Sequence, residues 1–242
     1  MIRAITFDFW QTLYQDTPEL NRRRQIVRAE RCRRFLADAG LRFTQTEVES
    51  GFEAAYALVN EMWHRHIGVT ENACIQRFLE TLGIQLEPPQ LDHFTQFTAD
   101  TMFEVPPRVI PTIQGLVPRL SQKYRLGVIS DTGLTPGRVL RQLMAKDGIL
   151  DHFTAQTFSD ETAHTKPEAL QFHATLNQLG VTPGEAVHIG DLVRTDIVGA
   201  KGAGMKAIRF AGVTKDGQGD TFSDAVIEDY QELEATLERL SG

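Results

Sequence analysis

The stretch Ile2-Arg3-Ala4-Ile5-Thr6-Phe7-Asp8 is a short run rich in apolar and β-branched residues that stops at an acid. A run of this kind reads as a buried strand. Two later stretches repeat the pattern: Leu126–Ser130 (LGVIS) ends on a small hydroxyl, and Ala186–Ile189 (AVHI) runs into Gly190-Asp191. Lys206–Phe210 (KAIRF) is a further strand. Helical patterns fall between them. Thr135-Pro136 starts one that runs to Met144, with proline in its first turn. Lys166-Pro167-Glu168 starts another, with Phe172, Leu176 and Leu179 on one face and Gly180 closing it. Asp196–Ala203 reads as helical, and Asp229 caps a last helix that carries Leu233, Leu237 and Leu240. Strands alternating with helices imply right-handed crossovers, and so an α/β fold: a doubly wound parallel sheet with helices on both faces.

Between the first strand and the rest of that sheet the texture is helical. From Glu19 to Ala39, apolar residues recur at Ile26, Ala29, Cys32 or Phe35, and Leu36 among arginines and glutamates, and Gly40 supplies the stop. Similar patterns cover Glu47–His66, Asn72–Leu82 before Gly83, and Pro89–Met102. Val105-Pro106-Pro107 and Pro111 then punctuate the chain. The organisation is a strand, an all-helical insertion, and the remainder of an α/β domain. Lys215–Asp220 reads as a polar surface loop.

Bulk properties narrow the function classes. The chain has 242 residues, 41% apolar and 24% charged, which argues against wholesale disorder. The net charge of −7 argues against nucleic acid or an anionic membrane as the main partner. Two cysteines, Cys32 and Cys74, make neither a disulfide framework nor a zinc site, so a reduced compartment is expected. The opening residues have no signal-peptide pattern, and no apolar run is long enough to span a bilayer. A cytoplasmic protein is the expectation.

In open parallel sheets, sites form beyond the carboxyl ends of the strands. The residues there are Asp8, Ser130 and Asp191, and Lys166 adds a cation at a helix start. Any one of them alone is an ordinary strand end or cap. Together they carry the parts of a phosphoryl-transfer site. Carboxylates can bind Mg2+ or attack phosphorus, and a hydroxyl and an ammonium can hold phosphate oxygens and offset their charge.

In order, the residues Asp8-Phe9-Trp10-Gln11-Thr12-Leu13, Ser130, Lys166 and Gly190-Asp191 with Asp196 resemble the four motifs of the haloacid dehalogenase superfamily of hydrolases. The resemblance covers residues 1–14 and 105–242 as the core. It implies that residues 15–104 are the inserted helical cap. It further implies Asp8 as nucleophile, with Asp8, the backbone carbonyl of Trp10, Asp191 and Asp196 around a Mg2+ ion. Ser130 and Lys166 would hold the transferring group, with Asp131 and Trp10 also facing substrate, and Thr12 would support the turn. The implied substrate is a small phosphorylated metabolite.

The departure from that pattern is Trp10. Most phosphatases of the superfamily have there an Asp that protonates the leaving alcohol, and an indole cannot do acid–base work. Asp16, His64, His66 and Asp131 are candidate substitutes, although the two histidines read more simply as a surface pair on a cap helix. Gln11 also replaces a usual glycine. The aromatic at position 10 resembles the 2-haloacid dehalogenases, whose halide leaves without a proton. Asp191 and Asp131 argue for phosphate and metal instead, because extra carboxylates repel a haloacid. A metal- and phospholigand-binding protein with little turnover is the third alternative. Arg22, Arg23, Arg24, Arg28, Arg31, Arg33 and Arg34 read as a solvated helix face, since seven cannot all face one cavity. Phe52, Met62 and Trp63 read as packing within the cap.

Overall fold

The computed structural model describes residues 1–215 and 220–241. The chain begins with β1 (Ala4–Phe7), a two-residue strand β2 (Tyr14–Gln15) and four helices, α1 (Pro18–Asp38), α2 (Gln45–His64), α3 (Glu71–Thr81) and α4 (Pro88–Asp100). It returns through β3 (Arg108–Val109), α5 (Pro111–Ser121), β4 (Arg125–Ser130), α6 (Gly137–Lys146) and β5 (Phe153–Phe158). Then follow the one-turn helix α7 (Ser159–Thr162), α8 (Ala169–Leu179), β6 (Ala186–Gly190), α9 (Val198–Gly202), β7 (Lys206–Phe210), β8 (Ala225–Ile227) and α10 (Leu233–Ser241).

The main sheet has the order β5-β4-β1-β6-β7-β8, and every pair is parallel. Central parallel strands are covered on both faces, which is why β1 is uniformly buried and apolar apart from Thr6. Side chains alternate across the sheet. Ile5 and Phe7 join a cluster with Leu116 of α5, Leu140 of α6 and Leu237 of α10. Ala4 faces the other way, into a cluster with Phe172 and Leu176 of α8 and Ala200 of α9. Helices therefore pack on both faces, as expected. Phe7 pairs with Val128 on one side and Ile189 on the other. This register brings Asp8, Ser130 and Asp191 to one edge of the sheet.

The four inserted helices pack around a third cluster that includes Cys32, Leu36, Phe52, Phe78 and Phe94. Both cysteines are free and buried. Thr17 caps α1 by accepting from the Leu20 backbone, and Thr44 with Glu47 forms a capping box on α2. The departing and returning chains are joined by β2 and β3, an antiparallel pair. Several contacts tie the insertion to the sheet layer. Arg138 of α6 bonds Glu71 and Asp100, Trp63 of α2 bonds Asp131, and Gly68 donates to the Ala163 carbonyl. A Cβ at Gly68 would overlap the Ser159 carbonyl, so only glycine allows that approach.

The structure corrects several expectations. Lys166 lies in the loop before α8, which begins at Ala169, and Pro136 is the N-cap of α6 rather than part of its first turn. Asp196 sits in a π-helical turn, Val193–Ile197, with α9 after it. Ile26, expected on the apolar stripe of α1, is 53% exposed. The strands β5 and β8 had no sequence signal strong enough to be read. Part of the expected polar loop at Lys215–Asp220, residues 216–219, lies outside the described residues.

Phe172 is fully buried and sets its edge against the His188 ring, with centroids 5.2 Å apart. Phe172→Ala is expected to cost about 3–5 kcal/mol, the usual range for a buried aromatic truncated to alanine, measured as a shift in the urea midpoint.

Candidate active site

Asp8 follows β1 directly, and its backbone N–H donates to the Ile189 carbonyl at 2.9 Å, so the turn is tied to β6. Lys166 reaches the same point from the loop before α8. Its Nζ donates to Asp8 Oδ1 at 2.6 Å and to Asp196 Oδ1 at 2.7 Å. Asp196 also meets His188 Nε2 at 3.3 Å, and its Oδ2 accepts the Leu192 N–H at 2.9 Å. His188 Nδ1 lies 2.9 Å from Thr6 Oγ1. The π-turn carries Asp196 back over the end of β6, and a Cβ on Gly190 would overlap its carboxylate.

Carboxylate oxygens of Asp8, Asp191 and Asp196 lie within 4.8 Å of one another, and all three residues are buried. Burial pushes the Asp8 carboxyl well above the usual carboxylate range, against the pull of Lys166. Burial, and then the Asp196 charge, lifts Asp191 to about 7. Burial acts on Asp196 in the same sense, but Lys166 and His188 outweigh it and hold that group ionised, below the usual range. Burial also works against the charge on Lys166, and Asp196, Asp8 and Asp131 more than restore it. Three carboxyl groups gather around one ammonium, and the upward shifts of Asp8 and Asp191 reflect the cost of holding all of them ionised together. Hard oxygen ligands held at such a cost fit a divalent metal ion.

A cavity of about 400 Å3 opens over this cluster. Its wall includes Asp8, Trp10, Asp131, Lys166, Asp191 and Asp196, so the structure brings these expected residues together. Ser130 is different. It is buried at the end of β4 but does not line the cavity, and among the described residues its hydroxyl makes only a 3.4 Å bond to the Asp131 carbonyl. Thr12 accepts from the Tyr230 hydroxyl through its carbonyl, while its own hydroxyl is buried with no partner among the described residues. Trp10 donates its indole N–H to the Asp131 carbonyl at 3.2 Å. Gln11 holds φ 55° and exchanges two bonds with the Asp16 backbone, so the turn keeps a left-handed residue without glycine.

The acid candidates separate clearly. His64 is exposed, and His66 lies past the end of α2; neither lines the cavity. Asp16 lines it, but Arg24 holds both Asp16 oxygens at 2.8 Å. Asp131 lines it with its carboxyl raised by burial, and accepts from Trp63 Nε1 and the Lys166 N–H, each at 3.0 Å.

Two expectations from the sequence fail here. Arg24 and Arg28 are 3% and 2% exposed and line the cavity, rather than belonging to a solvated face. Their signal was present: the inward positions Cys32 and Leu36, continued back in steps of four, fall on Arg28 and Arg24. Trp63 also lines the cavity, under the Arg194 guanidinium at 4.0 Å. Phe52 does pack within the insertion, and Met62 packs against the same cluster. His188, Tyr56 and Thr195 were not anticipated, because nothing in the sequence separates them from ordinary core residues.

Residues 2–204 match the family described as haloacid dehalogenase-like hydrolase, and the chain belongs to that family. Two relatives named glyceraldehyde 3-phosphate phosphatase are each 29% identical to it. The one from Methanocaldococcus jannaschii aligns over 96% of both chains, and the one from Methanopyrus kandleri over 86% of this chain and 84% of its own. A solved 2-haloacid dehalogenase from Pseudomonas syringae pv. tomato superposes with a TM-score of 0.72 at 25% identity, covering 99% of each chain. No helix among the described residues is long and apolar enough to cross a membrane.

The carboxyl cluster has a measurable consequence. A divalent cation at about one hundred times its Kd is expected to stabilise the fold by about 2.7 kcal/mol, or roughly 5–10 °C in Tm for this chain length. Asp191→Asn should raise the Tm of the metal-free protein and abolish most of the cation-dependent rise, as read by thermal unfolding with and without EDTA.

Proposed function

We propose that the chain is a Mg2+-dependent phosphatase acting on a small phosphorylated metabolite through an aspartyl intermediate on Asp8. The observation that carries this reading is the set of three clustered buried carboxylates, two of which, Asp8 and Asp196, are bridged by Lys166. The names of the relatives support phosphate as the group transferred. In this reading residues 15–104 act as a cap over a core of residues 1–14 and 105–242. The free buried cysteines support a cytoplasmic location.

Lys166 occupies Asp8 Oδ1, and no bond is made to Oδ2 among the described residues. Oδ2 is the attacking atom. It forms a bond to phosphorus as the ester oxygen departs with its electron pair. Water then hydrolyses the aspartyl phosphate and frees Asp8 and inorganic phosphate. Lys166 pulls Asp8 toward its ionised form against burial and offsets charge on the transferring oxygens. Asp8, Asp191 and the Trp10 carbonyl would hold Mg2+. Asp196, whose oxygens are already taken by Lys166, His188 and Leu192, would position Lys166 more than bind metal. The ion, when bound, neutralises the carboxylates and the substrate phosphate. Asp131 and Trp10 would bound the substrate. Ser130 would act only after its hydroxyl turns from the Asp131 carbonyl toward the phosphate.

The departing oxygen needs a proton unless it is a weak base, and Trp10 has none to give. Hydrolysis of p-nitrophenyl phosphate should require Mg2+, stop with EDTA, and fall to background in Asp8→Asn. Activity that persists in Asp8→Asn would sink the reading. General acid catalysis contributes about 10²–10⁴-fold. Trp10→Asp should therefore recover at least about ten-fold in kcat on alkyl phosphomonoesters and little on p-nitrophenyl phosphate. An equal effect on both would place the acid elsewhere.

A second reading, a 2-haloacid dehalogenase, is favoured by the aromatic Trp10 and by the solved dehalogenase that superposes on this chain. Metal-independent halide release from 2-haloacids, with no phosphate ester hydrolysed, would establish it.

A further inference from the structure

Arg28 has three features that Arg24, one turn earlier, does not share. Arg24 is neutralised by Asp16, in a two-bond ion pair. Arg28 is 2% exposed, and among the described residues no carboxylate lies within ion-pair distance of it. Its Nε donates to Thr101 Oγ1 at 3.1 Å and its Nη1 to the Tyr56 hydroxyl at 2.6 Å. Its Nη2 is buried with no partner among the described residues. A buried guanidinium with an idle donor and no counter-ion is costly. It is sited where a ligand can relieve that cost, since Arg28, Tyr56 and Met102 line the cavity that also holds Asp8 and Lys166. Tyr56 accepts from Arg28, which leaves its own hydroxyl proton without an acceptor among the described residues and free to donate to a ligand.

We infer that Arg28 and Tyr56 form a second anion subsite, so that the substrate carries a carboxylate or a second phosphate in addition to the phosphate transferred at Asp8. This rests on the phosphatase reading and deepens it. The cavity is then bipolar. Its sheet edge takes a phosphate with a cation, and the α1–α2 side takes the second anion directly on a guanidinium. Arg28 sets specificity and takes no part in the chemical step.

The test uses the full chain with Mg2+ and three esters: glycerol 3-phosphate, 3-phosphoglycerate and a propanediol bisphosphate. The wild type should prefer one or both of the doubly anionic esters by about 10- to 100-fold in kcat/KM, mostly through KM. The preferred one tells carboxylate from phosphate. Arg28→Met should bring the three values together, and Tyr56→Phe should remove part of the preference. Arg28→Met should not lower the Tm of the ligand-free protein, whereas loss of a structural arginine would. Malonate and sulfate serve as probes independent of turnover. Either should raise the wild-type Tm saturably, and the rise should vanish in Arg28→Met and shrink in Tyr56→Phe.

Equal kcat/KM for all three esters in the wild type overturns the inference. So does a proportional loss on all three in Arg28→Met together with a lowered Tm. Should Arg28→Met not fold, the wild-type preference and Tyr56→Phe decide. If no phosphate ester is turned over at all, the phosphatase reading fails, and the malonate and sulfate shifts still decide whether Arg28 binds an anion.

Discussion

Lys166 is the one cation among the described residues that bonds to the acids at the edge of the sheet, and the site is built around its two short bonds. Burying carboxylates without a partner is prohibitive, and burying three of them needs an ammonium at the centre. That requirement explains much of the surrounding structure. The Lys166 N–H is fixed by Asp131 Oδ1, the next residue after β4. Asp196 is fixed by His188 and the Leu192 N–H, and His188 in turn by Thr6. Four segments far apart in sequence thus meet at one lysine. They meet there because β4, β1 and β6 are adjacent and end level with one another.

The same residues couple the site to the helical insertion. Asp131 accepts from Lys166 with one oxygen and from Trp63 of α2 with the other. Trp63 also lies under Arg194, two residues before Asp196. The end of α2 is therefore held by the same two segments that shape the floor of the cavity. Val59, one turn earlier on α2, packs on Gly133 in the loop after β4. The two oxygens of Asp131 thus tie the position of α2 to that of the Lys166 backbone.

Legibility in the sequence followed the physics of each element. Asp8 and Asp191 could be read because central parallel strands are continuous apolar runs, and the residue that ends one is conspicuous. β5 escaped because Phe153–Phe158 alternates with threonines and a glutamine at an edge, and β8 because it has three residues. Arg24 and Arg28 were misread because arginine is ordinarily solvated, and charge type outweighed position on the helix. The inward stripe 24, 28, 32, 36 held the correct answer. Trp63 was misread for the converse reason: an aromatic on an amphipathic helix is by default core, and only the tertiary bond to Asp131 marks it as part of the cavity. Ser130 was placed correctly at a strand end, but the direction of its hydroxyl is a property of the local turn that no sequence pattern reports.

Charge balance gives the cavity a direction. Among the described residues, the acids at the sheet edge outnumber the one lysine, and Arg28 at the α1–α2 side stands without an acid. Both imbalances weaken the ligand-free fold, and both are of the sign that a cation and an anion would correct. A protein that needed this cavity only for packing would lose nothing by replacing Asp191 with asparagine or Arg28 with methionine. On the reading proposed above, charges at opposite sides of one cavity would be balanced by a metal ion and by an anionic substrate that spans it from Asp8 to Arg28. On that argument the instability of the site and its selectivity have one origin.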